Sequence, residues 1–286
     1  MPQGIAELLR LLDLETIEVN IFRGRSPDAT RQRVFGGQVA AQALVAAGRT
    51  VERGRVHSLH AYFLRPGDPT VPILYDVDRI RDGRSFTTRR VVAIQHGRAI
   101  FNLHCSFHSD EDGIEHDDPA PAVPGPDGLD GLVEAQRAEG AGGPDVPPGF
   151  LRPHGLELRF VSQPPWERRD PGHAREQLWL RAEGPLPDDP LVHAAVATFA
   201  SDLTLVDTIL QRHGVTPWAD EFIGASLDHC MWFHRPFRAD NWLLYDQHSP
   251  TAHGARGLAF GSLYTEAGNL VVSVAQEGLV RFRRPG

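Results

Sequence analysis

Fourteen histidines, two cysteines and 37 acidic residues in a chain of 286 could supply metal or acid–base chemistry, but their spacing removes the familiar arrangements. His57 and His60 are three apart and His229 and His234 five apart, on stretches that read as strands. Odd separations on a strand point to opposite faces, so neither pair chelates one ion, and the chain has no HxH or HExxH run. Asp228-His229 has the composition of a dyad, but adjacent strand residues diverge. No GxSxG elbow marks a serine nucleophile of the α/β type. Cys105 and Cys230 form no CxxC pair, which leaves no disulfide framework or zinc site and makes a reducing cytoplasm the expected compartment. No metal or other cofactor is expected.

Three other polar residues, Asp202, Ser226 and Gln276, each have a plain structural reading as well as a chemical one. Val272, Val274, Gln276 and Gly278 share one face of a terminal strand by two-residue alternation, which buries the Gln276 amide and obliges it to find hydrogen-bond partners. A core glutamine bonded to backbone and a glutamine that positions a reacting group both fit that pattern. Asp202 follows Ser201 at the apparent start of a helix, where either residue suits the N-cap and where an anion is stabilised. Ser226 precedes a stretch whose alternation is not cleanly amphipathic, so the strand begins after it or carries a bulge. A turn serine is the simplest reading. Gly36-Gly37 opens another helix, where a ligand or a tightly packed backbone could approach.

The elements that must hold these residues form a repeat. Phe63-Leu64-Arg65-Pro66 recurs as Phe233-His234-Arg235-Pro236 and Leu74-Tyr75-Asp76 as Leu244-Tyr245-Asp246, both at an offset of 170. Gly83 and Gly97 fall on Gly254 and Gly268 one residue further along. Two motifs at one offset indicate a duplicated unit. Each copy opens with a largely apolar helical stretch, residues 36–48 and 201–214, which is therefore buried. Three or four strands follow, with turns at Arg81-Asp82-Gly83 and His96-Gly97, then around His253-Gly254 and Ala267-Gly268. A buried helix followed by an antiparallel meander predicts a sheet wrapped around a central helix, the hotdog arrangement. The expected class is α+β, with two fused hotdog units.

The copies are joined by a stretch rich in Pro, Gly and acids, with six acids between Asp110 and Asp118 and regular structure only around Leu132 to Ala138. The expected boundaries are 1–108, a linker over 109–155, and 156–286. Before the first copy, residues 1–19 read as an amphipathic helix without a secretory pattern, and the chain ends RFRRPG rather than in a peroxisomal SKL-type address. No apolar stretch approaches the roughly 20 residues that span a bilayer. All 29 basic residues are Arg, the net charge is −8, and no long basic run offers a surface for nucleic acid.

The repeat also assigns equivalents. The strand offsets set Ser226 against Val56 and Gln276 against Cys105, and alignment of Gly48 with Gly214 sets Asp202 against Gly36. Each polar residue faces a non-catalytic counterpart, which predicts one site per chain.

With these motifs in order, the chain resembles the acyl-CoA thioesterase II family. The resemblance is carried by FRGRSPD (22–28), RVFGGQVAAQAL (33–44), HSLHAYFLRPGD (57–68) and YDVDRIRDGRSFTTRRVVAIQHG (75–97). In the second copy it is carried by ASDLTLV (200–206), SLDHCMWFHRPF (226–237), ARGLAFGSLYT (255–265) and VAQEGLVR (274–281). It implies a double hotdog that hydrolyses fatty acyl-CoA to fatty acid and CoA. The implied catalytic residues are Asp202, Ser226 and Gln276, with Asp202 taking the proton of a water held by the other two. Gly36 and Gly37 are the candidates for substrate contact. The family's usual residue at the Ser226 position is Thr; Ser keeps the hydroxyl but lacks the methyl that restricts χ1. A homodimer or homotetramer is implied. A hotdog hydratase using an Asp/His pair, or a non-catalytic acyl-CoA sensor, are the competing functions.

Overall fold

In a computed structural model, residues 3–26, 33–129, 155–161, 175–217, 219 and 222–282 are described. Helix α1 (Gln3–Leu12) is followed by β1 (Glu15–Glu18), β2 (Ile21–Gly24) and α2 (Gly36–Gly48). The meander β3 (Arg55–Phe63), β4 (Ile73–Asp82), β5 (Phe86–Gln95) and β6 (Arg98–His108) completes the first half. The second half comprises β7 (Leu156–Phe160), β8 (Arg175–Ala182), α3 (Pro190–Ser201), α4 (Asp207–Gln211), β9 (Phe222–Ser226), β10 (Asp228–Phe233), β11 (Leu243–His253), β12 (Arg256–Thr265) and β13 (Leu270–Phe282).

The strands make one antiparallel sheet in the order β1-β2-β4-β5-β6-β3-β10-β13-β12-β11-β8-β7, with β9 also on β13. Each half repeats one path: β2-β4-β5-β6-β3 becomes β8-β11-β12-β13-β10. Register repeats too, since Ala61 pairs with Leu103 as Met231 pairs with Val274. This is a double hotdog, and the two halves join where β3 pairs with β10.

Alternation builds the sheet. In β6, Phe101, Leu103, Cys105 and Phe107 are buried while Asn102, His104 and Ser106 are not. The tight hairpins have two successive residues at positive φ, His96-Gly97 and Gly254-Ala255, as a two-residue turn matching strand twist requires. Helix α2 is buried from Gly37 to Ala47 because the sheet, α1 and α3 enclose it. Its apolar circumference follows from that enclosure.

One expected element is displaced. The second buried helix is Pro190–Ser201, and residues 202–206 form a turn before the short α4. Asp189 caps α3 by accepting Leu191 N–H at 2.9 Å, and Pro190 occupies the first helical position. That Asp-Pro start is a strong helix signal, and it moves the helix a full three turns N-terminal of the span 201–214. The alignment of Gly48 with Gly214 therefore fails. Helices α2 and α3 run antiparallel: a Cβ on Gly48 would meet the Leu191 side chain near the start of α3, and one on Gly37 would meet Phe199 O near its end.

The segment expected to link the halves has a packed role where it is described. Residues 109–129 contain one 3-10 turn, Pro126–Gly128, and Ala120, Val123 and Leu129 cover Trp179, Trp242, Leu244 and Tyr264. Trp179 Nε1 donates to Pro124 O at 2.9 Å, and Asp117 pairs with Arg235 at 3.2 Å. The regular structure expected around Leu132 to Ala138 lies outside the described residues.

Candidate active site

Asp202 is the C-cap of α3, not the start of a helix as its sequence context suggested. Its carboxylate therefore meets the negative end of the α3 dipole, and the stabilisation expected from its own helix N-terminus does not apply. A different N-terminus supplies it. A Cβ on Gly36, the first residue of α2, would lie 2.7 Å from Asp202 Oδ2, so the carboxylate sits against the positive end of α2. The tip of Tyr245, whose hydroxyl donates to Ser201 O at 2.9 Å, braces the turn that carries Asp202.

Gln276 is fully buried on the inner face of β13, with Val272 and Val274. Its Nε2 donates to Asp202 Oδ1 at 2.6 Å. Charge fixes this amide orientation, because the opposite one would face oxygen against carboxylate.

Ser226 reaches the same oxygen, donating from Oγ to Asp202 Oδ1 at 3.3 Å. A bulge makes this possible. In β10, Cys230 pairs with Ala275, whereas in β9 Ser226 pairs with Gly278, so the sums of paired numbers slip by one between them. Regular alternation from Cys230 would turn Ser226 to the outer face; the slip at Leu227 returns it to the inner face shared by Gly278 and Gln276. Asp228 stabilises the bulge by accepting Glu277 N–H at 2.7 Å. The Asp228-His229 pair does diverge: Asp228 bonds backbone while His229 is buried on the inner face.

Gly36 and Gly37 have different surroundings. A Cβ on Gly37 would lie 2.6 Å from Phe199 O, a backbone atom that cannot yield, which accounts for this glycine by helix–helix contact. The Gly36 position is closed by Asp202 and by the Phe63 ring at 2.9 Å. Phe35 is the N-cap of α2 without a side-chain cap, and the first bond into the helix is from Val39 N to Phe35 O. The N–H groups of Gly36, Gly37 and Gln38 precede it and lie where an anionic oxygen is favoured. Nothing in its motif, which read only as part of the repeat, marks Phe63 as the roof of this spot.

In the first half the counterparts of Ser226 and Gln276 are buried Val56 and Cys105. Burial pushes the Cys105 thiol far above its ordinary range. Among the described residues no group of three His, Cys, Asp or Glu could hold a metal, and no helix is long and apolar enough to cross a membrane.

Four histidines have pKa values lowered chiefly by burial: His57, His193, His229 and His234. They resist protonation when folded but accept protons when unfolded, so below their ordinary value of 6.5 the unfolded chain binds more protons. The melting temperature is therefore expected to fall as pH drops from about 7 to about 5.5, and His229→Asn should flatten that fall. A melting temperature constant over that window would contradict it.

Comparison with known proteins gives the family and the fold. The family described as "Acyl-CoA thioesterase" matches residues 155–279, and "Acyl-CoA thioesterase N-terminal domain" matches residues 25–108. Acyl-coenzyme A thioesterase 8 of Mus musculus is 40% identical, over 96% of this chain and 88% of its own. The solved acyl-CoA thioesterase II TesB2 of Mycobacterium marinum is 46% identical with a TM-score of 0.78, covering 96% of this chain and 98% of that one. A hot dog fold protein of unknown function from Alicyclobacillus acidocaldarius, 18% identical, superposes with a TM-score of 0.77 over the full length of both chains.

Proposed function

Since the chain belongs to the acyl-CoA thioesterase II family and is a thioester hydrolase, we propose that it cleaves fatty acyl-CoA to fatty acid and CoA with a water positioned by Asp202, Ser226 and Gln276. The observation that carries this reading is the convergence of Gln276 Nε2 and Ser226 Oγ, from two strands, on one oxygen of a carboxylate at a helix end.

The chemistry follows from that arrangement. The second N–H of Gln276 donates to the water oxygen, and a Ser226 lone pair accepts one of its protons. Asp202 takes the other proton through Oδ2 as the water oxygen attacks the thioester carbonyl carbon. The resulting oxyanion lies against the first-turn N–H groups of α2, donors fixed in place before the reaction begins. Collapse breaks the carbon–sulfur bond, and the thiolate takes the proton back from Asp202. A thiolate leaves readily, so no protein nucleophile is required. Val56 and Cys105 offer the first half no equivalent set, and one site per chain is the corresponding reading.

The test is thiol release from a panel of acyl-CoAs of differing chain length, with acid-quenched enzyme examined by mass spectrometry. Turnover without an acyl adduct on the protein supports direct attack by water; a stoichiometric adduct that decays to product overturns it. Gly36→Ala should lower kcat about tenfold or more, because its methyl must displace the Asp202 carboxylate or the Phe63 ring. A kcat within twofold of wild type would show that neither position matters to the reaction.

A further inference from the structure

His229 is a fully buried imidazole that the hydrolysis as described does not use. Its Nε2 lies 2.8 Å from Ser201 Oγ. His229 lies one residue beyond the Cys230–Ala275 pair, which sets it beside Gln276 on the inner face of the β10–β13 ladder, where the Asp202 charge and the Gln276 amide both favour a protonated ring. Yet neither His229 Nδ1 nor Gln276 Oε1 has a partner at full hydrogen-bond geometry, and both are buried. Buried polar atoms without partners on adjacent side chains are expected to satisfy each other.

Only one tautomer allows that. With the proton on Nδ1, the ring donates to Gln276 Oε1, and the Nε2 lone pair accepts the Ser201 hydroxyl, which otherwise donates to Thr198 O at 3.0 Å. The donors then run in one direction, from Ser201 to His229 to Gln276 to Asp202, ending in the 2.6 Å bond from Gln276 Nε2. With the proton on Nε2, the Nδ1 lone pair would face Gln276 Oε1 and favour the flipped amide, which turns an oxygen toward the Asp202 carboxylate.

The fold itself does not demand a histidine here. The counterpart of His229 at the 170-residue offset is Leu59, also fully buried, and the counterpart of Gln276 is Cys105. The imidazole and the amide occur together in one half and are both replaced by unbonded side chains in the other.

We propose that His229 is a positioning residue for the hydrolysis: as the Nδ1–H tautomer it holds the Gln276 amide so that Nε2–H faces Asp202. The inference rests on the reading that Gln276 and Asp202 act in the reaction. Burial keeps the ring neutral, as this tautomeric role requires.

The test uses the full chain and measures kcat and KM on one acyl-CoA for His229→Leu, His229→Asn and His229→Gln, and for His229→Leu combined with Gln276→Ala. An Asn amide nitrogen falls near the Nδ1 position and can still donate to Gln276, whereas a Gln amide reaches only the Nε2 position. His229→Leu and His229→Gln are expected to lose kcat about tenfold or more with KM within about twofold, and His229→Asn to stay within about threefold of wild type. In the Gln276→Ala background, His229→Leu should cost less than about twofold, because the group it positions is gone. The inference is overturned if His229→Leu is as active as wild type, if Asn and Gln behave alike, or if the loss persists undiminished in the double variant. Should the Leu variant fail to fold, the Asn–Gln contrast decides alone. Full activity in Gln276→Ala alone would instead overturn the reading of the site itself, and this inference with it; an impaired Gln276→Ala beside an unimpaired His229→Leu removes only the role of His229.

Discussion

Asp202→Asn is expected to lower kcat by about 10²- to 10⁴-fold while KM changes only a few-fold, measured as thiol release from an acyl-CoA. Asparagine has the shape of aspartate, and its Oδ1 can still accept from Gln276 Nε2 and Ser226 Oγ, which now meet at 2.6 and 3.3 Å on one oxygen. The hydrogen bonds that hold the turn after α3 therefore survive, and so does the melting temperature. What is lost is the capacity to accept a proton from water and return it to the departing thiolate. Because substrate binding and the α2 N–H groups are untouched, the deficit falls on the chemical step. Asp202→Ala is the less informative variant, since it also deprives the buried Gln276 amide of the carboxylate it donates to. A folded Asp202→Asn enzyme with wild-type kcat would remove Asp202 from the reaction.

Much of the frame that holds Asp202 can be read from residue spacing, and the exceptions have identifiable causes. The repeat at 170 and 171 residues predicted the paired strands correctly, because the F-x-R-P motif clamps the same place in each half. Arg65 donates to Ala99 O and Arg235 to Leu270 O, positions that are themselves 171 apart. Burial of Gln276 followed from simple alternation. The second central helix was misplaced because residues 201–214 and 190–201 are both apolar and helix-compatible, and tertiary contact with α2 selects the one with the Asp189-Pro190 start. The inner-facing Ser226 could not be read at all from periodicity, since it depends on a one-residue slip at Leu227. Contact between Gly36 and Asp202 joins residues far apart in sequence, and only the antiparallel packing of α2 on α3 creates it. Asp228-His229 read as a weak dyad; the structure separates them and sets the histidine beside Gln276 across the β10–β13 ladder, a pairing that local sequence does not reveal.

The same duplication supplies the second large effect, this time on stability. Arg89 in β5 is 1% exposed and pairs in register with Cys105, whereas its counterpart Ala259 in β12 pairs with Gln276. One fold position thus holds a large cation in the half without the polar set and a methyl beside Gln276 in the half that has it. Arg89 is fully engaged: Nε donates to Thr50 Oγ1 at 2.8 Å, Nη2 to Thr50 O at 3.0 Å, and Nη1 to Arg81 O and Thr88 O at 3.0 Å, with Asp82 as its ionic partner. It ties the residue just beyond α2 to the irregular β4–β5 ladder, whose register shifts between Asp78 and Arg81. Arg89→Met keeps much of the aliphatic stem but removes every donor, leaving the carbonyls of Thr50 and Arg81 short of a partner. Asp82 is largely exposed and stays solvated, so the cost falls on the buried acceptors left without a donor, about 2–4 kcal/mol in all, which for a chain of this size lowers the melting temperature by roughly 5–10 °C. Because Arg89 lies in the other half from Asp202, kcat measured on the folded variant at moderate temperature should match wild type. The two substitutions are therefore expected to dissociate, one abolishing turnover at unchanged stability and the other the reverse. A thermal scan showing Arg89→Met within about 2 °C of wild type would mean that the network carries no net stability.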